Sequence, residues 1–312
     1  LHSRRHCKGT QGGHHRPSGD GTWRHHIRQT STHQTNGLRR SHDPRRRMEI
    51  VLSIAGSDPS AGAGIQQDLK TITAMGCYGA TVITALTSQN TMGVQDVMPV
   101  PSKVISSQLK AILDDFDVKS IKIGQIPNTE SATIIVDTLH DWGQKNGMNT
   151  PIVYDPVMIS TSGHRLMSSD CIQYIKKHLF PLCHLITPNI PEAEQLLVHS
   201  LATPFDYLQA GQTLTQQYDT NVLLKGAHAK GEIMTDRLFL TDGSVHEYQN
   251  EKIDSTNLHG TGCTLSSAIA CALALGNPLE TAVGMAKKFV SKAIRGGKDL
   301  HIGHGNGPIW NF

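Results

Sequence analysis

From residue 48 onward, apolar positions alternate between the spacing of strands and the spacing of helices. Residues 49–55 form a β-rich run, and Ile65, Leu69 and Ile72 then recur at the i, i+4 and i+7 spacing of a helix. The same alternation continues to the end of the chain. It predicts strands at 81–86, 120–123, 152–155, 185–187 and 221–225, and helices from Pro101 and over 131–142, 264–275 and 279–295.

Strands that alternate with helices of about ten to fifteen residues indicate a mainly parallel sheet covered by helices on both faces. The stretch 233–253 departs from this alternation, because it contains two strand-like runs joined by a turn at 241–244. We therefore predict a three-layer α/β fold. Ligands of such sheets bind at the carboxyl ends of the strands, so we expect the chemistry in the loops that follow them.

Charge is unevenly distributed between the two ends of the chain. Residues 1–47 contain eleven Lys and Arg and two acids, a net +9, so residues 48–312 contain 18 bases and 24 acids, a net −6. The first segment is rich in His, Arg and Gly and has too few large apolar residues to form a core. We expect a disordered, non-native basic leader at 1–47, with Met48 as the natural start, and one folded domain at 48–312. A native basic tail is the alternative.

Composition also narrows the class of protein. No apolar run approaches the roughly 20 residues of a membrane-spanning helix, and no signal-peptide pattern is present. Six cysteines, at 7, 77, 171, 183, 263 and 271, lack the C-x-x-C spacing of zinc or redox motifs. We expect a cytoplasmic protein with free thiols, and neither a membrane nor nucleic acid as its partner.

Two glycine-rich loops each follow a strand-like or extended segment and open a helix. The first, at 55–68, fits neither the dinucleotide fingerprint nor the phosphate-binding P-loop, and a tight strand-to-helix turn is its plain alternative. The second contains Gly260, Thr261, Gly262 and Cys263. Unpaired amides at a helix start favour an anion, and a helix N-terminus lowers a thiol pKa. The alternative there is a glycine-rich cap beside an inert Cys.

Three further loops offer polar groups at predicted strand ends. Asn189 and Glu192 are spaced to reach one site from the first turn of a helix, and their oxygens suit Mg²⁺ or its water shell. An ordinary cap, with Asn at the N-cap and Glu at N3, explains the same spacing. Asp155 could assist a metal or a phosphate-bound water. Lys225 suits polyphosphate charge, although a solvated lysine is equally consistent.

Taken in order, these segments resemble the hydroxymethylpyrimidine and phosphomethylpyrimidine kinases of thiamine biosynthesis. The resemblance rests on seven motifs and covers about 48–312. They are A-G-S-D-P-S-A-G-A-G-I-Q-x-D-L-K-T at 55–71, I-T-A-L-T-S-Q-N-T at 83–91, D-P-V-M at 155–158, L-I-T-P-N-x-x-E-A at 185–193, L-x-K-G-x-H at 223–228, H-G-T-G-C-T at 259–264 and G-x-G-P-I at 305–309.

The resemblance implies a ribokinase-like fold, ATP with Mg²⁺, a homodimer, and phosphorylation of the pyrimidine's hydroxymethyl group and then of the monophosphate. It implies three groups of site residues. The pyrimidine side comprises Gly56, Asp68, Gln89 and Gln125; the anion hole and proposed base comprise Gly260, Thr261, Gly262 and Cys263; the ATP and metal side comprises Asn189, Glu192, Lys225 and Asp155.

One departure affects the predicted substrate. Gln125 stands where the family has a Met that packs on the pyrimidine. A pyridoxine or pyridoxal kinase of the same superfamily is therefore the alternative, because pyridoxine also carries a hydroxymethyl group on a six-membered nitrogen ring. A catalytically idle ligand-binding protein is a second alternative, and a nucleic-acid binder would rest only on the basic segment 1–47.

Overall fold

The computed structural model describes residues 48–147, 149–158, 166–226 and 232–312. The predicted leader at 1–47 lies outside the described residues. Within them, the strands are β1 Ile50–Ser57, β2 Tyr78–Asn90, β3 Gly93–Pro99, β4 Val118–Ile123, β5 Ile152–Tyr154, β6 Leu185–Ile186, β7 Asn221–Leu224, β8 Ile233–Phe239 and β9 Val245–Glu251. The α-helices are α1 Gly64–Ala74, α2 Ser102–Leu113, α3 Thr129–Asn146, α4 Ser169–His178, α5 Ile190–Leu197, α6 Pro204–Tyr218, α7 Thr261–Ala274 and α8 Leu279–Gly297.

The strands form one sheet in the order β3-β2-β1-β4-β5-β6-β7-β8-β9. The pairs from β2 to β7 are parallel, whereas β3 at one edge and β8 with β9 at the other are antiparallel. The predicted pair of strands in 233–253 is confirmed as β8 and β9. The mainly parallel sheet follows from the βαβ alternation, since parallel strands need a crossover between them.

Helices cover both faces of the sheet, because successive side chains of a strand point to opposite faces. Leu52 and Ile54 of β1 pack in a core with helices α2 to α6, while Val51 packs in a second core with α1, α7 and α8. This is the predicted three-layer α/β fold. None of the helices in the described ranges is long and apolar enough to cross a membrane.

Four elements differ from the sequence-based prediction. β2 continues past the predicted end at residue 86 to Asn90, and β3 pairs with this extension as an antiparallel ribbon. The ribbon is polar or exposed along much of its length, so the apolar pattern does not reveal it. Helices α4 and α6 were also not predicted. For α6 a local signal exists, because Thr203 and Asp206 form a capping box around Pro204.

The sheet order reverses at β1, which has β2 on one side and β4 on the other. A crevice outside the strand ends is expected at such a switch point. The carboxyl ends of β1, β4, β5, β6 and β7 lead directly into the loops that hold the predicted site residues.

Candidate active site

The two glycine-rich loops lie against each other at the carboxyl ends of the strands. Gly260 adopts φ +86, and a Cβ added there would lie 1.9 Å from the carbonyl oxygen of Gly62. Gly64 adopts φ +59, and its Cβ would lie 2.4 Å from the carbonyl oxygen of Gly56. A larger residue at Gly260 would force the two loops apart, and one at Gly64 would disrupt the turn of the first loop itself, so both glycines are required by close backbone approach.

The second loop opens α7 in the way the sequence predicts for an anion site. Gly260 is the N-cap residue and contributes no side chain, so the first-turn amides of Gly262 and Cys263 have no intrahelical acceptor. The Thr261 hydroxyl donates to the carbonyl of Leu258 and closes the turn. The positive end of a helix of 14 residues adds to the attraction for a negative group.

The structure overturns one expectation about Cys263. Burial raises the pKa of its thiol to about 11, and this outweighs the Lys122 ammonium and a backbone hydrogen bond with Gly64, both of which lower it. The prediction that the helix N-terminus would tune this thiol downward is therefore wrong. The desolvation of a thiolate is larger here than the helix-terminal stabilisation.

Three charged side chains, Asp155, Glu192 and Lys225, form what we call the charged cluster. Lys225 Nζ lies 2.7 Å from Asp155 Oδ1 and 3.8 Å from Glu192 Oε2. Asp155 Oδ1 also accepts from the Thr187 hydroxyl at 3.1 Å. Burial disfavours the ammonium, but the carboxylates of Asp155 and Glu192 raise the pKa of Lys225 above its ordinary value. Lys225 is thus a fixed cation.

Asn189 and Glu192 form the capping box that was the alternative to a metal site. Asn189 Oδ1 accepts from the amide of Glu192 at 2.8 Å, and Glu192 Oε2 accepts from the amide of Asn189 at 2.7 Å. Burial raises the pKa of Glu192 to about 7, with Asp155 adding to the effect and Lys225 opposing it. Glu192 therefore gains and loses its proton near neutral pH.

The anion site and the charged cluster meet at Gly262. A Cβ added to Gly262 would lie 3.0 Å from Asp155 Oδ2 and 3.8 Å from Lys225 Nζ. The first turn of α7 therefore packs directly against the charged cluster. Donors grouped in this way can stabilise negative charge that develops between them.

Gly56 near the end of β1, Gln89 near the end of the adjacent β2 and Gln125 just after the adjacent β4 are neutral groups, which we call the amide cluster. A Cβ on Gly56 would lie 2.3 Å from Gln125 Oε1, so the two residues are in contact. Gln125 Nε2 is buried and has no hydrogen-bond partner among the described residues. Gln89, on the β2 extension, lies 3.2 Å from His259 Nε2. The cluster has unused hydrogen-bonding capacity.

Asp68 is not on the surface of the site, although the resemblance implied contact with the pyrimidine. Its side chain is fully buried, and Lys122 Nζ donates to both carboxylate oxygens at 2.9 and 2.8 Å. Ser53 and Ser267 donate to the same carboxylate at 2.6 and 2.8 Å. Every strong hydrogen-bonding direction is used, so this pair holds α1, β1, β4 and α7 together beneath the loops.

Sequence reasoning missed Asp58, Lys122 and His259 as members of this region. Asp58 and His259 lie inside the two glycine-rich motifs, 2% and 7% exposed, and bond to each other. A signal for Lys122 was its position within a short buried strand, where an unpaired charge is not tolerated. The pairing of residues so distant in sequence could not be inferred from spacing alone.

Comparison with known proteins identifies related kinases. A family model described as phosphomethylpyrimidine kinase matches residues 58–310. The chain is 42% identical over 264 residues to a hydroxymethylpyrimidine/phosphomethylpyrimidine kinase of Rhizobium meliloti, covering 84% of this chain and 97% of that one.

Two solved structures share the fold. A phosphomethylpyrimidine kinase of Clostridium difficile aligns with TM-score 0.69 and 39% identity, over 79% of this chain and 99% of that one. The pyridoxal kinase of Staphylococcus aureus in complex with AMP-PCP and pyridoxal aligns with TM-score 0.75 and 28% identity, over 85% of this chain and 93% of that one. The fold is ribokinase-like, and the chain belongs to the phosphomethylpyrimidine kinase family.

Proposed function

We propose that this protein transfers the γ-phosphoryl group of ATP to 4-amino-5-hydroxymethyl-2-methylpyrimidine and then to the resulting monophosphate. The diphosphate is the pyrimidine unit that thiamine biosynthesis uses. One observation carries the proposal: the first turn of α7, where the amides of Gly262 and Cys263 have no intrahelical acceptor, meets the Lys225 ammonium and the Asp155 carboxylate at Gly262. A phosphoryl group needs stabilisation of negative charge more than it needs covalent chemistry.

In this proposal the charged cluster and the first turn of α7 act on the phosphates. Lys225, held by Asp155 at 2.7 Å, bears the fixed positive charge. We assign the first-turn amides of Gly262 and Cys263 to the oxygens of the transferred group, over which charge spreads during transfer. Because these donors are already in place, they need little reorganisation during transfer.

The residues present fit a magnesium ion held with ATP, and the ion would neutralise charge on the phosphates. Glu192 Oε1 and Asp155 Oδ2 are the carboxylate oxygens not used in the bonds to Asn189 and Lys225. We assign these two oxygens to the ion through its water shell, as hard oxygen ligands suit Mg²⁺. Asn189 then acts by capping α5 and orienting Glu192, and it is not itself a ligand.

We further propose that Cys263 accepts the proton of the substrate hydroxyl. A thiol with a pKa of about 11 is ionised in only about one molecule in 10⁴ at pH 7. A base of this kind makes turnover rise with pH, so the role has a distinct kinetic signature.

The amide cluster is assigned to the pyrimidine. The ring nitrogens and the amine of the pyrimidine offer both acceptors and donors, and Gln89 and Gln125 are neutral groups that can pair with them. Asp68 supports this surface from below through Lys122. A site built for such bonds rejects rings that leave the amides unpaired.

Pyridoxal kinase activity is the second candidate, and two observations favour it. The pyridoxal kinase structure aligns with a higher TM-score than the phosphomethylpyrimidine kinase structure. In addition, Gln125 offers a buried unpaired donor at the position where the phosphomethylpyrimidine kinases have Met. Against it stands the lower identity, 28% compared with 39%. The main proposal is therefore the pyrimidine substrate.

A coupled ADP-release assay tests the proposal with four substrates: hydroxymethylpyrimidine, its monophosphate, pyridoxine and pyridoxal. We expect kcat/KM to be higher for hydroxymethylpyrimidine than for pyridoxal, and the monophosphate to be turned over as well. If kcat/KM for pyridoxal were equal or higher, the substrate would be the vitamin B6 ring and not the pyrimidine. No ADP release with any of the four would reject the kinase assignment itself.

A further inference from the structure

Asp58 and His259 join the two glycine-rich loops and belong to neither cluster. His259 Nε2 lies 2.9 Å from Asp58 Oδ2, although the residues are 201 positions apart in sequence. A carboxylate can only accept, so the imidazole proton is on Nε2 and is donated to Asp58. The side chains are 9% and 3% exposed, which makes this a mostly desolvated charge-assisted bond.

Asp58 is fixed firmly to its own loop. Its Oδ1 accepts from the amide and the hydroxyl of Ser60 at 2.9 and 2.7 Å, and its Oδ2 accepts from the amide of Ala63 at 2.8 Å. Burial alone would raise the pKa of Asp58, but the hydrogen bonds from His259, Ser60 and Ala63 lower it below its ordinary value. Asp58 is thus an anion with a defined position.

His259 is fixed in turn by the first loop and by the C-terminal segment. Its amide donates to the carbonyl of Gly307 at 3.1 Å, and its carbonyl accepts from the amide of Ile309 at 3.3 Å. A Cβ on Gly62 would lie 2.2 Å from Cδ2 of the ring, so the ring packs directly on the first loop. Gly260, the N-cap of α7, is the next residue along the chain.

The same ring nitrogen also contacts the amide cluster. Gln89 lies 3.2 Å from His259 Nε2 and 3.3 Å from Thr87 Oγ1. Two N–H groups cannot bond to each other, so we orient the Gln89 amide with its oxygen accepting from His259 Nε2–H and its nitrogen donating to Thr87 Oγ1, whose own proton goes to the Ser57 carbonyl. One atom of His259 therefore touches the residue that faces the pyrimidine and the anion that fixes the first loop. Its backbone continues directly into the anion hole.

We propose that His259 is a positioning residue that couples the amide cluster to the anion hole. Its Nε2–H, anchored on Asp58, fixes the Gln89 amide on one side and the Gly260–Cys263 turn on the other. Substrate placement and phosphoryl stabilisation are then set by one hydrogen-bonded unit. The kinetic consequence rests on the proposed kinase function, whereas the ordering of the turn does not.

Two polar replacements of His259 separate this role from simple packing. In His259→Gln the terminal amide nitrogen lies about where Nε2 lies, and it can still donate to Asp58. In His259→Asn the amide is one bond shorter, corresponds to Nδ1 and does not reach Asp58. Both are polar and smaller than His, so a difference between them reports on the bond.

We expect His259→Asn to lower kcat by about 10- to 100-fold, the range that a hydrogen bond to a charged group represents. The KM for ATP should change by less than about threefold, and the KM for the pyrimidine should rise. His259→Gln should recover most of kcat. Ile135→Ala, a cavity variant in the core under α3, is the control for lost stability without lost positioning.

Hydrogen exchange of the unliganded protein provides a readout that does not depend on turnover. The amides of Thr261, Thr264 and Ile309 are hydrogen-bonded to backbone carbonyls of this turn. Followed by mass spectrometry, they should exchange about tenfold faster in His259→Asn than in the wild type, and at about the wild-type rate in His259→Gln. Equal exchange and equal kcat in the Gln and Asn variants would overturn the proposal, whether both match the wild type or both fall. If Ile135→Ala reproduced the faster exchange of these three amides, general destabilisation would be the cause and the proposal would also fail.

Discussion

The charged cluster and the amide cluster lie at neighbouring strand ends, but they hold their side chains in opposite ways. In the charged cluster Lys225 is 2.7 Å from Asp155 and 3.8 Å from Glu192, so its charge is fixed before any ligand arrives. In the amide cluster Gln125 Nε2 is buried without a partner in the described part of the chain.

This difference indicates which cluster stabilises the transferred group and which cluster selects the substrate. Fixed charge stabilises a transition state well, because it needs no rearrangement as charge develops. Neutral hydrogen-bonding groups without a partner distinguish between ligands, because a ligand that leaves them unpaired binds more weakly. We therefore assign phosphoryl chemistry to the charged cluster with α7, and substrate selection to the amide cluster.

The largest expected effect concerns Cys263, which lies between the two clusters. General-base catalysis is typically worth about 10²–10⁴-fold, so Cys263→Ala should lower kcat by a factor in that range with the KM for ATP little changed. Because the pKa of the thiol is about 11, the wild-type kcat should rise with pH between about pH 7 and pH 9, and the variant's should not. Steady-state kinetics across pH measures both.

If Cys263→Ala kept kcat within about threefold of the wild type at each pH, the base role would be wrong. The anion hole alone would then account for catalysis, and the charged cluster would carry even more of the chemistry. Cys271, which is fully buried in α7 away from the loops, provides the matched control as Cys271→Ala.

Removing the fixed cation should be nearly as costly. Lys225→Met should lower kcat/KM by about 10²–10³-fold, the usual loss for one preorganised donor to a developing anion. It should also lower stability, because Asp155 and Glu192 lose their partner. Lys287→Met breaks a comparable ion pair with Asp236, at 2.6 Å, and controls for lost stability. A similar loss of kcat/KM in Lys287→Met would mean that stability explains the result.

Much of the charged cluster could be predicted from the sequence, because Asp155 and Lys225 directly follow buried strands and Glu192 lies in the first turn of the helix after β6. Parallel strands bring their carboxyl ends together, so Asp155, Asn189 and Lys225 had to be neighbours once the sheet was inferred. Their electrostatics could not be predicted. The raised pKa of Glu192 and of the Cys263 thiol both arise from burial, which depends on how the loops pack.

The amide cluster was harder to predict from the sequence. Gln89 lies on a polar extension of β2 that lacks the apolar alternation of a strand, and β3 pairs with it across a bulge. Asp68 carries no mark in the sequence that distinguishes an exposed carboxylate from one paired with Lys122 at full burial. Contacts between distant segments decided both cases, and periodicity reports only on local structure.

A pH experiment sharpens the description of the charged cluster. The folded-state pKa of Glu192 is about 7 against an ordinary value of 4.5, so the folded protein holds this proton more tightly than the unfolded chain does. The stability associated with protonated Glu192 is present below about pH 4.5 and is lost as pH rises through 7.

Glu192→Gln lacks this proton equilibrium. Between about pH 5 and pH 8 the free energy of unfolding of the wild type should fall relative to that of the variant, by up to about 3 kcal/mol. Urea unfolding at several pH values measures the difference. A difference that stays constant with pH would show that Glu192 keeps an ordinary carboxylate pKa.

The smallest effect is expected in the amide cluster. Gln89→Leu removes neutral hydrogen bonds worth about 0.5–1.5 kcal/mol, so the KM for the pyrimidine should rise by about 2- to 12-fold. The KM for ATP should stay nearly constant, since Gln89 lies away from Lys225. If the ATP KM moves instead, Gln89 belongs with the phosphates. Gln144→Leu, on the exposed end of α3, is the control for adding an apolar side chain.

The central claim is that one cluster selects the substrate and the other performs the transfer. The ratio of kcat/KM for hydroxymethylpyrimidine to kcat/KM for pyridoxal tests it directly when measured in the wild type, Lys225→Met and Gln89→Leu. We predict that Lys225→Met lowers both values but leaves their ratio within about threefold, whereas Gln89→Leu lowers the ratio by about the 2- to 12-fold expected for its lost hydrogen bonds. A ratio that changes in Lys225→Met and stays unchanged in Gln89→Leu would contradict the division of labour between the two clusters.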